Sequence, residues 1–186
     1  NAIQQGDWRE NYFKLNASVP LSFNARNQNY SFTLNAATSF TQRYMPENMP
    51  TNFIRELKFP LEYNFTFNHS VRTTERDIAP KWAQVFRATY NHQPFDKNLG
   101  GEIMALESFF YFPGFAKNHS FLASFNYQKA SGVNQYATEI ATVYGYNNIL
   151  AKSKLQNSML FNYRFPFAFP DWELSSLAYV RNFRAG

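Results

Sequence analysis

Histidine is the side chain best suited to proton transfer or metal ligation near neutral pH, and this 186-residue chain has three: His69, His92 and His119. None belongs to a His-Glu-x-x-His pair or another metal-ligand spacing, so the sequence offers no metal centre. Two stand in Asn-His-Ser triplets, at Asn68 to Ser70 and Asn118 to Ser120, which also read as glycosylation sequons. In a chain where Asn alternates with Ser and Thr so often, such triplets arise by chance. A serine activated by histidine with an acidic or amide partner would be the chemistry of a surface hydrolase, but nothing in the spacing favours it. There is no cysteine, hence no disulfide framework, thiolate site or cysteine nucleophile. The expectation is a protein without catalytic, cofactor-binding or metal residues, and not an enzyme.

The side chains that do stand out are charges: Lys14, Lys58, Glu62, Arg72, Glu107, Lys154 and Arg164. Each occupies, or lies close to, the polar phase of a segment whose hydrophobicity alternates. On a sheet with one oily face, Lys or Arg placed in lipid at the membrane midplane costs about 2–4 kcal/mol. These residues are therefore expected to face a polar lumen, where they set ion preference or form an ion-pair lattice. Arg55, Arg72, Arg76 and Lys117 fall near segment ends or in loops, where basic side chains are available to anionic phosphates.

The elements that must position them are read from that alternation. Over residues 13–23 the odd positions are Phe13, Leu15, Ala17, Val19, Leu21 and Phe23, and the even ones Lys14, Asn16, Ser18, Pro20 and Ser22. Over residues 57–71 the odd positions are Leu57, Phe59, Leu61, Tyr63, Phe65, Phe67, His69 and Val71, with only His69 breaking the apolar set. The pattern recurs over 30–36, 121–128 and 155–167 and, less regularly, over 81–92, 103–112, 136–144 and 177–184. That makes about nine strands. Clusters of Pro, Gly, Asn and Asp separate them, at 24–29, 45–52, 73–80, 93–101, 113–118, 129–134, 146–152 and 170–175. A Pro falls on the polar phase in three similar phrases, at Pro20, Pro60 and Pro166, where strand starts, bulges or rims tolerate the missing donor.

Composition narrows the class. With 3 Trp, 12 Tyr and 21 Phe the chain is too aromatic for disorder. Its mean hydropathy is −0.48, and no apolar run approaches the length of a membrane-spanning helix. The net charge of +5 comes from scattered cations, without the basic runs that mark nucleic-acid binding.

Soluble strands average about five to six residues, whereas a tilted bilayer-crossing strand needs about nine to eleven. Several segments here keep their alternation past that minimum. One phase is rich in Phe and Leu and the other in Asn, Ser, Thr and Gln, the chemistry of an outward apolar band around a wet interior. The expected fold is all-β: a single domain over 1–186 forming an antiparallel transmembrane β-barrel meander. Its uneven strand count leads us to expect part of a larger barrel, because single-chain bacterial barrels have even numbers. Trp8, Tyr12, Tyr44, Trp82, Tyr111, Trp172 and Tyr179, at segment ends, are expected in the aromatic girdles at the membrane interfaces.

The stretch Asn162-Tyr163-Arg164-Phe165-Pro166-Phe167-Ala168-Phe169-Pro170-Asp171-Trp172, followed by Leu177-Ala178-Tyr179-Val180-Arg181, resembles the late strands of outer-membrane barrels from Bacteroidota. The phrases Ile78-Ala79-Pro80-Lys81-Trp82 and Tyr111-Phe112-Pro113-Gly114-Phe115 resemble strand and turn segments of the same group, so the likeness covers residues 57–184. More remotely, the arrangement is similar to the surface-antigen family of outer-membrane assembly and translocation barrels, in which a loop bearing Arg-Gly-Phe or Arg-Gly-Tyr enters the lumen. The matching place, Val143-Tyr144-Gly145-Tyr146, carries Tyr144 where that family has arginine, which weighs against its assembly mechanism. The resemblance implies a protein of the Gram-negative outer membrane, acting as a pore or as a scaffold in an outer-membrane complex. The alternatives are an assembly or translocation factor and a surface hydrolase. Implied partners are membrane lipid, lipopolysaccharide and other outer-membrane or periplasmic proteins; nucleic acid is not among them.

Overall fold

The structure is a computed structural model that describes residues 9–44, 55–73, 77, 79–95, 100–132, 140, 155–168, 172–174, 178–180 and 183–185. Seven long strands follow one another: β1 (Arg9–Ala25), β2 (Gln28–Tyr44), β3 (Glu56–Val71), β4 (Ala83–His92), β5 (Gly101–Pro113), β6 (Ser120–Gly132) and β7 (Leu155–Ala168). Three short strands complete the set, β8 (Trp172–Leu174), β9 (Ala178–Val180) and β10 (Phe183–Ala185). β1 to β7 pair antiparallel in sequence order, and the sheet runs β1-β2-β3-β4-β5-β6-β7-β10, with β8 and β9 as a separate pair. This is an all-β meander, and no helix among the described residues is long and apolar enough to cross a membrane. The sheet is open, because β1 pairs with β2 alone and β10 meets only the end of β7.

Alternation explains where the strands lie, and the register explains their lengths. β1 and β2 have 17 residues each and β3 has 16, far beyond the length of an ordinary globular strand. The two-residue turn Arg26-Asn27, with Arg26 at φ 55°, joins Ala25 to its partner Gln28 and locks an unbroken β1–β2 ladder out to Arg9 and Tyr44. β2 therefore runs eight residues past the alternation read from sequence, which fades at Ala36, Ala37 and Thr38 because small side chains carry no phase. β6 likewise continues through Lys129 to Gly132, where the composition of residues 129–134 predicts a loop. Gly132 sits at φ +93°, and a Cβ there would lie 2.4 Å from the Cα of its partner Gly101, so the close approach of two backbones requires a glycine. The expected strand over 136–144 lies outside the described residues except for Ile140, and that over 177–184 resolves into β9 and β10.

The two faces of the sheet differ in burial, in the reverse of the soluble order. Ser39, Thr41, Ser120, Ser124, Asn126 and Gln128 are buried, together with Ala37, Ala83, Ile103, Ala105 and Leu122 of the same face. Ser124 is 1 % exposed, whereas Leu34, in the middle of β2 on the other face, is 56 % exposed. Phe65, Leu106, Phe125, Met159 and Phe161 share that open face. In soluble domains Leu and Phe fill the interior and Asn and Gln stay outside. Ala123 is buried on the apolar face, between Phe110 and Phe161 of the neighbouring strands.

Candidate functional site

The polar face is the part of the molecule with chemical content. Its uncharged residues meet directly opposite one another across strands. Asn68 Nδ2 donates to Ser31 Oγ at 3.1 Å, Thr89 Oγ1 to Asn64 Oδ1 at 3.0 Å, and Asn126 Nδ2 to Ser158 Oγ at 3.0 Å. These are cross-strand partners in the register, so backbone pairing alone brings each donor to its acceptor. Segments outside the strands also bond to this face: the Pro80 carbonyl accepts from Ser120 Oγ at 3.0 Å, and the Ile140 amide donates to Gln128 Oε1 at 3.4 Å.

Among the described residues, three ion pairs cross the same face. Arg43 Nε lies 2.7 Å from Glu10 Oε2, its partner in the ladder. Lys14 Nζ lies 3.0 Å from Glu62 Oε2, although their strands are not adjacent. Lys14 stands opposite Ser39 and Glu62 opposite Ala37, and the small Ala37 and Ser39 of β2 leave the space for the lysine to reach across. Arg87 faces Glu107 in the register, 3.7 Å away, a distance that is ionic contact without a hydrogen bond. The guanidinium of Arg87 also stands 5.5 Å from the ring centre of Phe109, close enough for a cation–π contact.

Of the charges singled out in the sequence, Lys14, Glu62, Glu107 and Arg164 lie on this face, and the structure joins Lys14 to Glu62. Arg164 Nε donates to Asn162 Oδ1 at 3.2 Å. Arg72 lies one residue past β3, exposed, with its amide bonded to the Asn27 carbonyl at 2.8 Å. Lys154 lies outside the described residues. Lys58 departs from the lumen-facing expectation. The β2–β3 register slips between Thr38 and Phe40, Phe59 takes φ 45°, and the extra residue of this bulge sets Lys58 opposite Phe40 on the apolar face. There it pairs with Glu56 at 3.1 Å, at the end of the strand.

The expected girdle aromatics divide. Tyr44 lies on the apolar face at one end of β2, and Trp82 at the opposite end of the sheet, its ring edge-on to Phe112 at 5.5 Å. Tyr12 and Tyr111 are corrections: Tyr12 stands opposite Thr41, and Tyr111 opposite Ala83 and Leu122, all on the polar face. Their phase decides it, since Tyr111 alternates with Phe110 and Phe112. Trp172 and Tyr179 belong to β8 and β9, described by backbone alone, and Trp8 lies outside the described residues.

The histidines are scattered. His69 Nδ1 bonds Gln84 Oε1 while its ring stacks on Tyr30 at 4.5 Å, and His92 stacks on Tyr90 at 5.2 Å. His119 Nδ1 lies 2.7 Å from the Tyr163 hydroxyl. Among the described residues no group of His, Cys, Asp or Glu is arranged to hold a metal ion. Sequence reasoning missed Glu10, Arg43 and Arg87 as members of the polar face. The signal for Arg87 was its phase with Val85 and Thr89, but its partner is visible only in the register. Compared with known proteins, the chain matches no family model, no curated protein and no solved structure.

Proposed function

We propose that this sheet is the wall of an outer-membrane β-barrel, serving as a pore or as a scaffold within an outer-membrane complex and carrying no chemistry of its own. One observation carries the reading: the apolar face has a continuous uncharged band. On the described strands its charges are Arg9, Glu56, Lys58, Glu102 and Lys129, all toward the end of the sheet that holds Tyr44. On β1 the band runs from residue 13 to residue 23. Ten steps of about 3.3 Å make about 33 Å along the strand, or about 23 Å along the membrane normal at a tilt near 45°. Barrel proteins present an apolar belt about 25 Å tall.

A fully exposed edge such as β1 fits this reading only if further strands complete the wall, because each unpaired backbone group in hydrocarbon costs several kcal/mol. The partners on this reading are membrane lipid and lipopolysaccharide, with other outer-membrane or periplasmic proteins in the complex. Fractionation of cells expressing the protein tests the location. Resistance to alkaline carbonate extraction, with recovery in the outer-membrane fraction, is expected; release into the soluble fraction overturns the proposal. Stepwise conductance in planar bilayers then separates a pore from a scaffold.

A further inference from the structure

The turn between β5 and β6 displays a fully exposed phenylalanine that is tied to β7. Phe115 is 100 % exposed, yet its amide donates to the Tyr163 hydroxyl at 3.1 Å and its ring stacks on Tyr163 at 5.7 Å. The same hydroxyl bonds His119 Nδ1 at 2.7 Å, and the His119 ring stacks on Phe165 at 5.8 Å. Within the turn, the Gly114 amide donates to the His119 carbonyl and the His119 amide to the Ala116 carbonyl, with Asn118 at φ 65°. Gly114 is required by space, since a Cβ there would lie 2.5 Å from His119 Cβ. A solvated surface turn has no need to be tied to the next strand through a tyrosine hydroxyl in order to display a bare ring.

Position supplies the reason. Phe115 continues the aromatic row Phe112, Phe121 and Tyr163 past the end of the apolar face, on the side of the sheet where Trp82 lies against Phe112. Lys117, two residues further on, is exposed. An apolar ring beside a cation, both just beyond an uncharged oily band, matches the boundary between acyl chains and phosphate headgroups. We infer that the turn at residues 114–119 is an interfacial lipid anchor, with Phe115 inserted at the acyl–headgroup boundary and Lys117 directed to lipid phosphate. This rests on the membrane reading above and adds a position and a depth to it.

The absence of cysteine permits a clean test. Single-cysteine variants F115C and L34C of the whole chain are spin-labelled and reconstituted in vesicles of phosphatidylethanolamine and phosphatidylglycerol. Collision with oxygen, which concentrates in lipid, is compared with collision with a water-soluble nickel chelate. The L34C label is expected to be shielded from nickel, and the F115C label to fall between it and free label in buffer, with nickel access reduced several-fold. An F115C label as open to nickel as free label, with L34C shielded, overturns the anchor and leaves the membrane reading standing. Both labels open to nickel overturn the membrane reading, and the anchor with it. Adding Tyr163→Phe to F115C is expected to sharpen the label's spectrum as the turn loosens; an unchanged spectrum overturns the role of the tyrosine lock.

Discussion

Lys14 and Glu62 meet at 3.0 Å although β2 lies between their strands, and each is flanked on that strand by a residue no larger than serine. The pair ties three strands together at one level of the polar face. Its side chains keep 42 % and 34 % of their exposure, so water screens the attraction. A double-mutant cycle with Lys14→Ala and Glu62→Ala is expected to yield a coupling of about 0.2–1 kcal/mol, shrinking as salt is added. Urea unfolding from vesicles measures it, and a coupling of several kcal/mol would show a dry environment in place of a wet lumen.

Leu34 separates a membrane sheet from a soluble one. It is well exposed in the middle of β2. In water, Leu34→Arg at such a site should change stability by no more than about 0.5 kcal/mol. Facing lipid near the midplane, the same change should cost about 2–4 kcal/mol. We expect the larger figure in urea titrations of the vesicle-folded protein. A cost within the surface range would remove the lipid-facing assignment.

Gly132→Ala probes the far end of the β5–β6 ladder. The new methyl would fall 2.4 Å from Gly101 Cα and 2.5 Å from the Gly100 carbonyl oxygen, on a backbone already at φ +93°. Both obstacles are backbone and cannot swing aside. A loss of about 1–3 kcal/mol is expected in the same titration, and a neutral result would mean that the ladder ends before Gly132.

Strand placement was legible because alternation is local: the phase of Phe13, Leu15 and Ala17 is a property of one segment. What pairs with what was not. The bulge at Phe59 and Pro60 inserts one residue and turns Lys58 onto the apolar face, a shift that the uniform alternation of residues 57–71 conceals. Arg87 meets Glu107 and Arg43 meets Glu10 because of loop lengths and register, which no single segment encodes. Tyr12 and Tyr111 are a different kind of miss. Their phase was visible in the sequence, but nearness to a segment end took precedence over it, and phase is what sets the face.

Glu107 gives the pore reading its own test. On the polar face Arg87 stands opposite it at 3.7 Å, with the Phe109 ring beside the guanidinium and no closer carboxylate in the register. Glu107→Gln keeps the shape and removes one negative charge, leaving Arg87 as a cation without its counter-charge. In a water-filled lumen that excess attracts anions and repels cations. Under a salt gradient across a planar bilayer, the reversal potential of the variant is therefore expected to move toward the anion equilibrium value, more at low ionic strength than at high. Arg87→Gln should move it the other way, toward cations, because Glu107 is then the uncompensated group. Opposite shifts from two facing residues place both charges within about a Debye length of the ion path. If both variants conduct with an unchanged reversal potential, ions do not pass along this face, and the pore must run elsewhere or the sheet must act as a scaffold.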